Sequence, residues 1–227
     1  FATIVAAVAE GRRIYDNIRK SIQFLLSSNL AEVIAIFIAT IMNFTILKPA
    51  HLLWINLITD CFPAIGLGME EAEADTMKQS PRKKTDGIFS GGLGVDVILQ
   101  GAVIAILTVA SYLVGHYMES GSWQIETSQD GMTMAFLTLS LVEVFHSFNL
   151  RSRTASIFTL KKQNKTLWGT LLLAIVLTVV ILYVPFLRNL FSFSYIDVKE
   201  FFIAVCIALL IIPIVEIAKI VRRVRAR

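Results

Sequence analysis

The chain has little with which to build several familiar kinds of site. Among 227 residues it has two cysteines and three histidines. Cys61 and Cys206 both fall inside apolar runs, where they suggest neither a disulfide framework nor a zinc pattern and are expected to be buried free thiols. No Cys-Pro-Cys motif and no histidine cluster points to a soft metal. The opening residues form a charged helical segment rather than a signal peptide. The start at Phe1, without a methionine, leads us to expect a piece of something longer. The net charge is only +4, and nothing beyond that charge favours nucleic acid.

What the sequence has in abundance is apolar residues, 56% of the total, gathered into long blocks rather than spread at amphipathic spacing. That pattern predicts an all-α integral membrane protein, a bundle of six transmembrane helices. The spans are expected at about residues 22–44, 50–69, 92–118, 131–149, 166–187 and 198–218. Four parts follow: a stalk helix over 1–21 continuous with the first span, a helix pair over 22–69 whose second span is kinked, a polar connecting loop over 70–91, and a four-helix membrane region over 92–227. No inverted internal repeat of the kind used by many secondary transporters is visible.

Placement of lysine and arginine orients the bundle. Arg12, Arg13, Arg19 and Lys20 precede the first span, and Lys78, Arg82, Lys83 and Lys84 follow the second. Arg151, Arg153, Lys161, Lys162 and Lys165 follow the fourth, and Lys219, Arg222, Arg223, Arg225 and Arg227 close the chain. Only Lys48, Arg188 and Lys199 lie in the opposite segments, so the positive-inside rule puts both termini in the cytosol. Anionic lipid head groups are a natural secondary partner for the basic C-terminus.

Within the apolar blocks stand three acids: Glu32 in SSNLAEVIAIF, Asp60 in LLWINLITDCFPAIGLG and Glu143 in FLTLSLVEVFHSF. A charged residue at a helix centre costs roughly 2.5 to 3.5 kcal/mol on translocon scales, so such acids usually face a bundle interior, a partner or an ion. Asn29 lies one turn before Glu32, and Asn56 and Thr59 share a face with Asp60. Pro63, three residues after Asp60, lacks a donor N–H and is expected to leave carbonyls near residues 56–59 short of partners, as in broken membrane helices at ion sites. Asn29, Glu32, Asn56, Thr59, Asp60 and Glu143 thus form a candidate metal site of hard oxygen ligands. Calcium suits this set better than magnesium, which keeps most of its water, whereas manganese, sodium and potassium share the ligand preference. When the cation leaves, three neighbouring carboxylates repel one another, so some are expected to take up protons. His146, on nearly the same face as Glu143, is expected mainly as a structural hydrogen-bonding group. Asp96 and Glu216 are expected at helix ends near water.

FATIVAAVAEGRRIYDNIRKSIQFLLSSNLAEV, followed by LLWINLITDCFPAIGLGME, resembles the fifth and sixth transmembrane segments of P-type cation ATPases, specifically the sarcoplasmic-like calcium-pump branch. The resemblance extends over essentially the whole chain, as spans five to ten. It implies that Asn29 and Glu32 are fifth-span ligands, Asn56, Thr59 and Asp60 sixth-span ligands, and Glu143 the eighth-span carboxylate, with Asp60 bridging two calcium sites. The first of those sites is complete in this set; the second also needs fourth-span carbonyls and a Glu. Asn56 separates the chain from the sodium–potassium branch, which carries Asp there. Cys61 and Ala31, where Gly is common, and His146, often Asn, depart from the pattern. The family's DKTGT, TGE and GDGxND motifs and its nucleotide-binding domain do not occur in these residues, so ATP and magnesium would act only through other domains of the same pump, and this chain alone is not expected to hydrolyse ATP. The alternatives are a free-standing membrane module without transport, an ion-coupled transporter or channel, or a pump for another cation.

Overall fold

In the computed structural model, residues 1–225 are described except for 74, 75, 79, 82–85, 154 and 161. The basic residues Arg82, Lys83, Lys84, Lys161 and Arg227 of the predicted charge asymmetry lie outside them. Among the described residues, six helices are long and apolar enough to cross a membrane, as the apolar blocks predict. They are α1 (Ala2–Ile41), α2 (Pro49–Gly68), α3 (Leu93–Ser120), α4 (Gln129–Asn149), α5 (Lys165–Tyr183) and α6 (Val198–Val224). The transmembrane helical bundle expected from composition is the fold.

α1 is one helix of 40 residues. Its buried residues recur every three or four positions, from Asn17, Lys20 and Gln23 through Ser28 and Glu32 to Ala35 and Ala39, so a single stripe faces the bundle. The basic half of that stripe is polar and its other end is alanine, which lets neighbouring backbones come close. α4 occupies the centre and packs against every other span. Gly131 to Val144 is buried without a break, which requires apolar residues on all sides of the helix rather than on one face.

Proline interrupts two spans. In α2 the segment Ile55–Asp60 is π-helical, between α-helical Pro49–Trp54 and Cys61–Gly68. Pro63 cannot donate to the preceding turn, and widening the helix by one residue per turn is a recurrent response. Side chains also donate to carbonyls of this turn: the Thr59 hydroxyl lies 3.1 Å from the Ile55 oxygen, and the Cys61 thiol 3.2 Å from that of Asn56. α6 is likewise split, into Val198–Leu209 and Ile211–Arg225, ahead of Pro213. There the Asn149 amide, from α4, donates to the Ile211 carbonyl at 3.3 Å.

One end of the bundle is bound together by ion pairs. Arg151, buried after α4, holds Glu70 beyond the end of α2 with Nη2–Oε1 at 2.9 Å. Lys20 of α1 pairs with Glu73 at 2.9 Å, and Asn17 donates to the Glu70 carbonyl at 2.6 Å. Asn164 caps α5 by accepting from the Leu167 N–H, and its amide donates to the Gly66 carbonyl and to Glu70 Oε2, both at 2.8 Å. α2 and α5 approach so closely here that a Cβ on Gly66 would lie 2.9 Å from the Leu167 Cα. Asp96 and Glu216 belong to this system: Asp96 does stand in the first turn of α3, but neither residue is near water as expected, because both are buried. Asp96 is buried between Arg153 and Arg222, and Glu216 is buried against Lys219 at 3.0 Å. Their partners come from distant parts of the chain or from the next helical turn, which removes the need for solvent. Cys61 and Cys206 correct the expectation of burial as well: both are exposed, on helix faces turned away from the bundle.

Candidate functional site

Three spans deliver the three acids to one place. Glu32 comes from the buried stripe of α1, Asp60 from the end of the π-helical turn of α2, and Glu143 from the enclosed helix α4. One oxygen from each carboxylate can be chosen so that all lie within 4.8 Å of one another, and all three residues are buried. A cation placed among them is within reach of oxygens from each helix.

Neighbouring side chains hold two of the acids. The Asn56 amide donates to both oxygens of Glu32 at 3.1 Å and to the Leu52 carbonyl at 2.9 Å. The Thr59 hydroxyl donates to Glu143 Oε2 at 2.7 Å. Asp60 is different: neither of its carboxylate oxygens has a hydrogen-bond partner among the described residues, and Glu143 Oε1 shares that condition. Buried polar atoms are nearly always satisfied, so oxygens left over in a shared cluster mark where a further ligand belongs.

The π-helical turn is what gives α2 three residues to contribute. Asn56 and Thr59 would share a face with Asp60 on a regular α-helix, and the wider turn redistributes that face so that one reaches Glu32 and the other Glu143. Five of the six predicted residues, Glu32, Asn56, Thr59, Asp60 and Glu143, are therefore brought together. The sixth is not. Asn29 is exposed, and its amide donates to the Leu25 carbonyl of its own helix at 2.7 Å. It lies on the face of α1 that also exposes Leu26, Val33 and Phe37.

Ser28, rather than Asn29, turns inward. It is fully buried, and its hydroxyl lies beside both Asp60 and Glu143 without meeting hydrogen-bond geometry with either. Spacing admits it as readily as Asn29, because the two lie four and three residues before Glu32 on the same helical face. His146 sits one turn beyond Glu143, buried, with its ring 6.4 Å from that of Phe24. Both ring nitrogens are without a hydrogen-bond partner among the described residues, so the hydrogen-bonding role expected of it is not seen.

Residues 44–221 match the family described as cation transporting ATPase, C-terminus. The chain belongs to that family. Its similarity to individual members runs beyond the matched region. It is 37% identical over 235 residues to calcium-transporting ATPase 1 of Bacillus cereus, covering 98% of this chain and 26% of that protein. It is 38% identical over 192 residues to the calcium-transporting ATPase of Bacillus subtilis, covering 84% and 21%. It is 32% identical over 247 residues to calcium-transporting ATPase 3, endoplasmic reticulum-type, of Arabidopsis thaliana, covering 98% and 25%. The chain thus spans about a quarter of the length of the curated relatives it matches. The resemblance to P-type cation ATPases read from the motifs around Glu32 and Asp60 is the relationship these comparisons show.

Proposed function

We propose that this chain is the cation-binding membrane part of an ATP-driven calcium pump, and that its carboxylates exchange calcium for protons. The observation that carries this reading is the convergence of Glu32, Asp60 and Glu143, from three different spans, within 4.8 Å. The relatives' names, all calcium-transporting ATPases, support calcium as the transported ion. So does the chemistry: carboxylate, amide and hydroxyl oxygens at irregular angles suit an ion that accepts six to eight ligands.

In this reading Asn56 and Thr59 complete the ligand shell beside the acids, and Asp60, uncommitted to any protein donor, is the ligand shared most fully with the cation. Asn29 joins when its face of α1 is covered by the remaining membrane segments of the full-length pump. When calcium departs, the mutual repulsion of three carboxylates is relieved by protons, which gives exchange without a separate proton site. Both chain ends lie on the cytosolic side, supported by the basic residues Lys20, Arg151, Arg153 and Arg222 that gather at one end of the bundle. Phosphorylation, ATP and magnesium act through other domains of the same pump, and lipid surrounds the spans.

The test uses the full-length protein. Asp60→Asn is expected to abolish calcium-dependent phosphorylation from ATP while phosphorylation from inorganic phosphate persists. Glu143→Gln keeps an oxygen but loses charge, and is expected to weaken calcium binding less. Unchanged calcium affinity in Asp60→Asn would remove Asp60 from the site and this reading with it.

A further inference from the structure

Beside the ion-pair end of the bundle, and remote from the acid cluster in composition and residues, a groove of about 400 Å³ runs between α3 and the second half of α6. Its walls are apolar stripes at helical spacing. Val95, Leu99 and Val103 come from α3, and Ile214, Ala218 and Val221 from α6. Val95 and Leu99 are each 60% exposed, so no other part of this chain fills the stripe. In a membrane span, the surroundings of such a stripe are hydrocarbon.

The floor at one end is charged. Arg222 reaches across from α6 and grips Asp96 of α3 with both Nη atoms, the Nη1–Oδ2 bond at 2.9 Å, while Arg153 holds Asp96 Oδ2 at 3.1 Å. Arg222 keeps 42% of its side chain exposed, and a guanidinium has five N–H donors, of which Asp96 takes two. Around this end stand four cations, Arg153, Lys219, Arg222 and Arg223, against three carboxylates, Asp96, Glu216 and Glu73, the last of them paired with Lys20. The local excess is positive, and it sits at the mouth of an apolar channel.

We propose that this groove binds one phospholipid with an anionic head group. The acyl chain lies along Val95, Leu99, Val103, Ile214 and Ala218, and the phosphate meets the outward donors of Arg222. Guanidinium matches phosphate geometry, and basic pockets between membrane helices are suited to anionic head groups. Asp96 sets the position of the fork: paired on one side, Arg222 presents its other edge outward instead of folding onto the helix. The proposal stands on the membrane placement of these helices and does not depend on which cation the acids bind.

Native mass spectrometry of the full-length protein in detergent, with dioleoylphosphatidylglycerol or dioleoylphosphatidylcholine added, tests it. The wild type is expected to retain one phosphatidylglycerol in preference to phosphatidylcholine. Arg222→Gln should reduce that retention about fivefold, the loss of one surface cation's attraction. Because Arg222 also supports Asp96, a second variant avoids the ion pairs: Ala218→Phe, at an exposed position, fills the groove and should abolish retention of the specific lipid with an unchanged thermal midpoint. Equal retention of the two lipids by the wild type, or undiminished phosphatidylglycerol binding in Ala218→Phe, would overturn the proposal.

Discussion

Two helices of this bundle are broken by proline, and the breaks have opposite character. Ahead of Pro63, α2 widens into a π-helical turn that ends on Asp60, whose oxygens have no donor among the described residues. At Pro213, which has no N–H to offer the Leu209 carbonyl, α6 simply divides, and the Asn149 amide of α4 crosses beside the break to donate to the Ile211 carbonyl. Proline frees backbone oxygens in both cases. What differs is the neighbouring side chain: an amide donor closes over one break from an adjacent helix, and an acid that cannot donate when ionised keeps the other available to a cation. A broken span is therefore a site only when its surroundings withhold hydrogen bonds.

Exchanging the two prolines is the strongest way to challenge that contrast. Pro63→Ala supplies the missing N–H, allows α2 to close toward a regular helix and is expected to lower calcium affinity about tenfold, the loss expected when a ligand set shifts out of register. Pro213→Ala should leave calcium affinity unchanged in the same equilibrium binding assay. If the two variants behave alike, the distinction between an open and a sealed break fails.

A smaller effect is expected from the seal itself. Asn149→Ala removes the side-chain hydrogen bond to the buried Ile211 carbonyl, a loss of about 0.5–1.5 kcal/mol. It should appear as a lowered midpoint for heat-induced loss of the monodisperse peak in size-exclusion chromatography, with calcium affinity intact. The smallest effect is expected at Lys162, whose ammonium lies 2.5 Å from Glu71 on the exposed surface and holds that carboxyl below its usual range. Lys162→Ala should leave the thermal midpoint unchanged within error, because exposed pairs contribute little. A drop comparable to that of Asn149→Ala would mean that the surface pairs, and not the buried donors, secure this end of the bundle.

The six spans and the three acids were legible in the sequence because both are signals of one dimension: a long apolar block, and a carboxylate inside it. Which neighbours join the acids was legible only in part. Thr59 and Asn56 are found by spacing, but they reach different acids because the turn between them is π-helical, and a proline announces a disturbance without specifying its form. Asn29 and Ser28 are adjacent in sequence, and only the packing of α1 against α2 and α4 decides that the serine turns inward. The pairing of Asp96 with Arg222 joins residues 126 positions apart, and no local pattern in the sequence announces it.

The unbroken length of α1 gives the acid cluster a mechanical reach. Thirty residues separate Ala2 from Glu32, about 45 Å of continuous helix at 1.5 Å per residue. No proline stands anywhere along it, and the helix runs without interruption from Ala2 to Ile41. A tilt of about five degrees pivoting at Glu32 would sweep the far end through about 4 Å, so α1 can act as a lever whose fulcrum is a carboxylate.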